Sequence, residues 1–509
     1  MRSARLLLCS LLCLLALTGC HRRAATKDTA VMLIESSPND LDLRLGTDAQ
    51  SEHIGSLIFD SLVHKDEHFN LQPWLAESWE QNDPLTWTFH IRHGVHFHNG
   101  QPLTAADVAW TLDSMHNGSL LTAKGGNFAT LNHTEVTGPY TVVLHLKRPD
   151  AALLFNLGDG SIGIVPNGSG DMRAHPIGTG PFRFVSQMPD KEVILERNPD
   201  WWQTPPSIHT VYFAVVPDDI TRALELQKGS ADAAINALTA DMVEVLRKNS
   251  KLVIESGPGT GLSYINFNTT DPLLRDRRVR QAIQCAIDRP LIIRTLWRGR
   301  AQIANSILPT GHWAYTDASS STTCPSYNPD RAKQLLDAAG FPAHANGIRM
   351  RLTMKTSTDE TMRLLAAIVQ QQLRMVGIEL DLRSSEFASF YSDITRGSFQ
   401  MYPLRWIGGN EDPDIFRYAY ATAGFPPRGA NRGRYSNPQL DALIATAGAE
   451  SDQVARKAAY AQVQQQLAAD MPTIDLWYLD TVLIHSRRLI NVHASPSANY
   501  DFLVHASLD

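Results

Sequence analysis

Residues 348–382 read IRMRLTMKTSTDETMRLLAAIVQQQLRMVGIELDL. Ile348 to Lys355 alternates apolar and polar side chains, the period of a strand with one face in a core. Thr361 to Val376 is long enough for a helix, and Gly377 supplies the residue that closes one. Ile378 to Leu382 returns to strand. Strand, helix, strand predicts mixed α/β layers. The pattern repeats outward. Val31 to Ile34, Trp87 to Ile91, Val95 to Phe97, Thr141 to Leu146, Val193 to Glu196, Thr210 to Val216, Leu262 to Asn268 and Thr473 to His485 read as strands. Helices are expected from Thr104, with Asp107 three residues on, and over Asp218–Lys228, Arg275–Arg289, Asn328–Ala339 and Gln453–Met471. A chain of 509 residues exceeds a single core, so two or three domains are expected.

The N-terminus is a targeting segment. Arg2 and Arg5 precede the apolar run Leu6–Leu17, which is too short to span a bilayer. It ends in Leu17-Thr18-Gly19-Cys20, similar to a bacterial lipobox. Residues 1–19 then form a signal peptide, Cys20 carries a diacylglycerol, and 20–30 is a polar tether. Loss of the two arginines takes the formal charge from −6 to −8. Such a body has no basic field for nucleic acid. Beyond Cys20 only Cys285 and Cys324 remain; an exported compartment permits a bond between them, and a buried free thiol is the alternative for Cys285.

Catalytic patterns are weak. Gly160-Ser161-Ile162-Gly163 has the wrong spacing for a nucleophile elbow, and Gly257–Gly261 lacks the Lys-Ser/Thr of a phosphate loop. His90, His93, His96 and His98 suit a metal by residue type, but their phases differ on a hairpin, so a solvated hairpin is preferred and no metal is expected. Trp406-Ile-Gly-Gly-Asn-Glu-Asp-Pro-Asp414 joins an aromatic face to glycines that admit a ligand backbone. Asp412 is expected to cap a helix over Pro413–Tyr420.

Several segments carry a family resemblance: Leu71–Trp79 (LQPWLAESW), Trp87–Gly100 (WTFHIRHGVHFHNG), Pro102–Val108 (PLTAADV), Gly178–Phe182 (GTGPF) with Glu196–Trp202 (ERNPDWW), and Arg278–Ala282 (RVRQA) with Ala286–Arg289 (AIDR). In this order and spacing the chain resembles the bacterial extracellular solute-binding proteins of family 5, the peptide/nickel/oligopeptide type that serves ABC transporters.

The resemblance implies the α/β fold of the type II periplasmic binding proteins: two α/β lobes with a hinge, plus an additional domain. Lobe I would comprise 31–57, 175–267 and 487–509, the extra domain 58–174, and lobe III 268–486. It also implies a cleft for a peptide-like ligand, built from Thr47, Asp48, Ala49 and Gln50, from Tyr264 and Asn266, from Trp406, Gly408, Gly409, Asn410 and Glu411, and from Tyr478. One position departs. The family's acid for a ligand ammonium, two or three residues after the Trp, falls on Gly409; Glu411, Asp412 or Asp48 would have to replace it. That opens the cleft to non-peptide solutes such as a nickel chelate, haem, an opine or an oligosaccharide. The expected protein is a monomeric, cofactor-free binding lipoprotein of the cell envelope, facing the periplasm or cell exterior. It is no enzyme, and its partners are the permease subunits of an importer and the membrane through its lipid. A lipid-anchored envelope hydrolase is the remote alternative.

Overall fold

The computed structural model describes residues 27–158, 160, 162–406 and 411–509. Cys20 and the targeting segment lie outside the described residues, as do Gly408, Gly409 and Asn410.

The chain opens with β1 (Thr29–Ile34), buried from its second residue. After the helix Ala49–Ile58 it enters a smaller unit. There β2 (Val63–Lys65) and β3 (Leu71–Pro73) form a hairpin. Next β4 (Ala76–Asp83), β5 (Thr86–Ile91), β6 (Leu131–Gly138) and β7 (Thr141–Leu146) form an antiparallel sheet in the order β4-β5-β7-β6. Trp87, Phe89 and Ile91 on β5 and Val142, Leu144 and Leu146 on β7 are buried, and their neighbours are not. That is the alternation of a sheet with one wet face. The helix Ala105–His116 covers the dry face; Thr104 and Asp107 form the expected capping box.

The chain then adds β8 (Phe182–Met188), β9 (Glu192–Arg197), β10 (Thr210–Val215), β11 (Ala233–Ile235) and β12 (Leu252–Gly257) to the sheet of β1. It crosses to a second large sheet made by β13 (Leu262–Phe267), β14 (Ala301–Ile303), β15 (Met350–Ser357), β16 (Ile378–Ser385), β17 (Met401–Trp406) and β18 (Thr473–Leu479), in the order β14-β18-β13-β17-β15-β16. It returns as β19 (Thr481–Ser486), which inserts between β12 and β11 and completes the seven-stranded order β12-β19-β11-β1-β10-β9-β8. The βαβ unit read in 348–382 is present: β15 and β16 pair in parallel, joined by the helix Glu360–Arg374.

The strand-rich stretch Thr473–His485 forms two strands in different sheets, parted at Asp480, where the chain changes lobe. The Asp480 N–H donates to Arg300 O at 3.2 Å there. Strand membership therefore changes between the two large sheets at 257–262 and 479–481. The helix expected over Arg275–Arg289 is Arg277–Cys285 followed by a new helix, Arg289–Leu296. Asp288 caps the second helix and Pro290 sits in its first turn, which favours a fresh start. Cys285 and Cys324 are bonded, with Cα atoms 5.3 Å apart, inside the core under the second sheet.

The motif residues do structural work at the lobe I–small unit junction. Asp60, 3% exposed, accepts from Trp74 Nε1 at 2.7 Å, Trp202 Nε1 at 3.0 Å and Thr179 Oγ1 at 2.8 Å. Arg92 lies over the Trp202 ring and donates to Trp74 O at 2.9 Å. His98 of the histidine cluster is engaged with main chain: its Nε2 donates to Gly180 O at 3.0 Å and its Nδ1 accepts from Gly178 N. Burial lowers its pKa to about 4, so it stays neutral. Among the described residues no three His, Cys, Asp or Glu side chains gather as a metal site.

Beneath the second sheet lies a cavity of about 40 Å³ lined by Gln284, Arg289, Asn305, Thr322 and Asp475 among others. Burial pushes the Asp475 carboxyl up to about 6, against the pull of Arg289 and the Thr473 hydroxyl. A carboxyl raised in the folded state contributes stability below its unfolded value near 4 and loses it as pH rises through about 6. Asp475→Asn is therefore expected to be more stable than the parent by about 2 kcal/mol at pH 8, with the difference vanishing toward pH 4. Urea unfolding at the two pH values measures it; a constant offset would contradict the burial of the charge.

Candidate functional site

Both large sheets contain parallel strands. Crevices outside the carboxyl ends of parallel strands are where open α/β sheets bind ligands. β1 ends at Ile34 and is followed by Glu35; β17, parallel to β15, ends in Arg405 and Trp406. The Arg405 guanidinium is reached by water yet surrounded by protein. That burial lowers its pKa, and the charges of Asp359 and of Glu35, from the opposite lobe, partly offset the effect.

The lobe I wall is the start of the helix Ala49–Ile58. Thr47 is exposed just ahead of it. Asp48 is its N-cap: the carboxylate accepts from Ser51 N at 3.0 Å, from Asn39 N at 3.1 Å and from the Ser51 hydroxyl. Ala49 and Gln50 form the first turn, so only Thr47 keeps the free loop character expected for pairing with a ligand backbone. Gln50 is buried and its Oε1 accepts from Tyr500 OH at 2.7 Å. Tyr500 meets the His53 ring edge-on at 5.2 Å. Burial lowers the His53 pKa to about 4, although Glu411 and Asp48 pull the other way, so the ring is a neutral hydrogen-bonding group at pH 7.

The lobe III wall is aromatic. Trp406 lies 6.3 Å from Tyr264 and 6.2 Å from Tyr418, ring centre to ring centre. Tyr264 is 5% exposed and burial raises its pKa, so it remains a phenol. β13 runs antiparallel to β17, with Leu262 opposite Trp406 and Asn266 opposite Tyr402. Asn266 thus sits four residues along the strand from the cleft end, with its Oδ1 buried and unbonded. Tyr478 is level with Leu262, but its hydroxyl points at the carbonyls of Ser306 and Leu308. Trp406 and Tyr264 are brought together; Asn266 and Tyr478 sit in the interior of lobe III.

The acidic segment after Trp406 is engaged. Glu411 pairs with Lys65 of β2 at 2.8 Å, and its carbonyl accepts from His312 Nε2 at 2.7 Å. Asp412 bonds both Arg456 nitrogens, at 3.0 and 3.2 Å. The helix after it is Ile415–Tyr420 with Asp414 at the N-cap position, two residues later than expected; Asp412 accepts from Asp414 N at 2.7 Å, ahead of it. The hairpin β2–β3 closes one side: Phe69 stacks on His312 at 5.4 Å and Trp313 N donates to His68 O at 3.1 Å. Glu35, His53, Arg405 and Tyr500 escaped the sequence reading. For Arg405 a signal existed, a charge at the carboxyl end of a strand beside the singled-out Trp.

The fold, two α/β lobes with an added domain, matches known proteins. The family model "Bacterial extracellular solute-binding proteins, family 5 Middle" matches residues 70–425. The glutathione-binding protein GsiB of Pectobacterium atrosepticum is 28% identical over 94% of each chain. The dipeptide-binding protein of Escherichia coli is 26% identical over 88% of each. Among solved structures, HbpA2 of Haemophilus parasuis superposes with a TM-score of 0.83 at 25% identity, covering 94% of this chain and all of that one. The oligopeptide-binding protein AppA of Bacillus subtilis, in complex with a nonapeptide, gives 0.75 at 26% identity, covering 94% and 99%. The chain therefore has the type II, oligopeptide-binding form of the periplasmic binding-protein fold and belongs to the bacterial extracellular solute-binding proteins of family 5.

Proposed function

We propose that this protein captures peptide-like solutes between lobe I and lobe III and hands them to the permease of an ABC importer. It acts as a monomer without catalysis, held at the cell envelope by a lipid on Cys20. What supports the reading is an aromatic pair in lobe III, Trp406 near Tyr264, together with a set of fixed polar groups in lobe I, Gln50, His53 and Tyr500. A flat apolar face with a few fixed polar groups is how such clefts orient small ligands. Thr47 offers main chain for a ligand backbone, and Glu411 with Lys65 ties the rim together. The glutathione- and dipeptide-binding relatives support the class of solute. Ligand-favoured closure is then a population shift that the permease reads.

One experiment addresses binding and anchor together. The full-length protein is extracted from host membranes in mild detergent and examined by native mass spectrometry. The intact mass is expected to carry a diacylglycerol, and released ligands are expected to be short peptides. A single non-peptide mass, such as a haem or a metal chelate, would overturn the solute class; an unlipidated soluble protein would overturn the anchor. Trp406→Ala is expected to weaken peptide binding by about 2 kcal/mol, roughly 30-fold, in calorimetric titration. Unchanged affinity would remove that face from the site.

A further inference from the structure

The chain passes between the two large sheets at 257–262 and 479–481. A further link between the lobes is non-covalent and runs through the hairpin β2–β3. The small unit that carries the hairpin is rooted in lobe I. Trp74, the residue after β3, donates to Asp60, which also accepts from Thr179 and Trp202, and His64 of β2 stacks on the Trp74 ring at 4.5 Å. The tip of the hairpin reaches lobe III instead. Lys65 pairs with Glu411 at 2.8 Å, and Phe69 stacks on His312. His68 Nδ1 donates to Gly311 O at 3.1 Å, and the His68 carbonyl accepts from Trp313 N. Asn70 Oδ1 accepts from Gln453 Nε2 at 3.0 Å.

Each face of this contact is built by its own side. Phe69 has a left-handed backbone, φ 62°, a costly conformation for an aromatic residue. The small unit itself enforces the turn: the Asp66 carboxylate accepts from His68 N at 2.8 Å, Asn70 N at 2.9 Å and the Asn70 side-chain amide at 3.0 Å. The Phe69 ring is buried, yet it is no part of the small unit's own core. Its socket is fixed by lobe III: His312 Nε2 donates to Glu411 O at 2.7 Å and Nδ1 accepts from Ala314 N at 2.9 Å. Two preformed surfaces can meet and part without refolding. The Lys65 and Glu411 side chains keep 12% and 16% of their surface in water, so parting them strands no buried charge. The root is the opposite case, because parting it would strand the buried Asp60.

We propose that the hairpin tip is a clasp: the small unit travels with lobe I, and Phe69 and Lys65 grip lobe III at His312 and Glu411 to hold the two lobes together. The clasp opens at the tip, not at the root. It favours the closed form before any solute arrives, so a solute has only to supply the remainder, and apparent affinity follows the closed fraction. That consequence for affinity rests on the solute capture proposed above; the clasp does not.

The test uses the full-length protein in detergent, with nitroxide labels on Lys191→Cys in lobe I and Ala388→Cys in lobe III, both exposed positions. Cys285 and Cys324 are bonded to each other and take no label. Dialysis in guanidinium removes carried solute, circular dichroism checks refolding, and pulsed electron spin resonance reads the distance between the lobes. The parent is expected to show a short-distance population that Phe69→Asn and Lys65→Glu each reduce about fivefold. Asn is chosen because it tolerates a left-handed backbone. Adding Glu411→Lys to Lys65→Glu reverses the ion pair and is expected to restore most of the short population, which a misfolded variant would not do. Affinity for a tryptic casein digest, read by native mass spectrometry, is expected to fall by the same factor as the short population. Distances that are the same in the parent and both single variants overturn the clasp. A short population lost in Lys65→Glu and not regained in the reversed pair overturns the grip of Lys65 on Glu411. A digest that binds no form of the protein overturns the peptide reading alone, and the distances still decide the clasp.

Discussion

Replacing Cys285 and Cys324 together by serine is expected to lower the unfolding free energy by about 4 kcal/mol. The bond spans 39 positions, so it removes a long loop's worth of freedom from the unfolded chain. It also ties the end of the helix Arg277–Cys285 to the segment leading to the helix Pro329–Ala338, and both cysteines are nearly inaccessible within the core of lobe III. Guanidinium unfolding of the oxidised parent, the reduced parent and the double variant measures it. The reduced parent is expected to match the variant; equal stability of all three would mean that the bond is not formed in the folded protein.

A loss of similar size is expected from Arg456→Met. Arg456 and Asp412 are each under a tenth exposed, and their contact is two-pronged. Burial disfavours the Arg456 cation, but the Asp412 carboxylate outweighs it and keeps the arginine charged. Removing the arginine strands a buried carboxylate, which costs about 3–5 kcal/mol. The double change Asp412→Leu with Arg456→Met removes both charges and is expected to recover most of that loss. Chemical unfolding of the single and double variants gives the comparison. Peptide affinity provides a second readout, because Asp412 follows Glu411 directly and fixes the segment that leaves Trp406. A double variant as unstable as the single one would show that packing, not the stranded charge, is what Arg456 provides.

The elements that sequence made legible are those whose signals are local. The βαβ unit of 348–382 declares itself because strand and helix periods differ and Gly377 marks the helix end; the observed elements differ from the reading by two or three residues at most. Thr473 to His485 shows the limit. Both of its strands are apolar and β-branched, and nothing in that composition says that Leu479 pairs in one sheet and Thr481 in another. The site is less legible for the same reason. Trp406 was visible as an aromatic before glycines. The engagement of Glu411 depends on Lys65, 346 positions away, and that of Gln50 on Tyr500, 450 positions away. Tyr478 had the right residue type and strand, but the side chain is turned by two carbonyls after Gln302–Ile303.

The Asp60 brace has a bearing on how such proteins diversify. Trp74, Thr179 and Trp202 come from three separate signature segments, and all three donate to one carboxylate at the root of the small domain. Those letters are answerable to the scaffold. The letters proposed to meet a solute, at 50, 53 and 406, lie outside the signature segments. Inheritance can hold the frame constant while cargo preference drifts, and a lineage can exchange one nutrient for another by editing a handful of cleft positions without touching the joint that keeps the molecule whole.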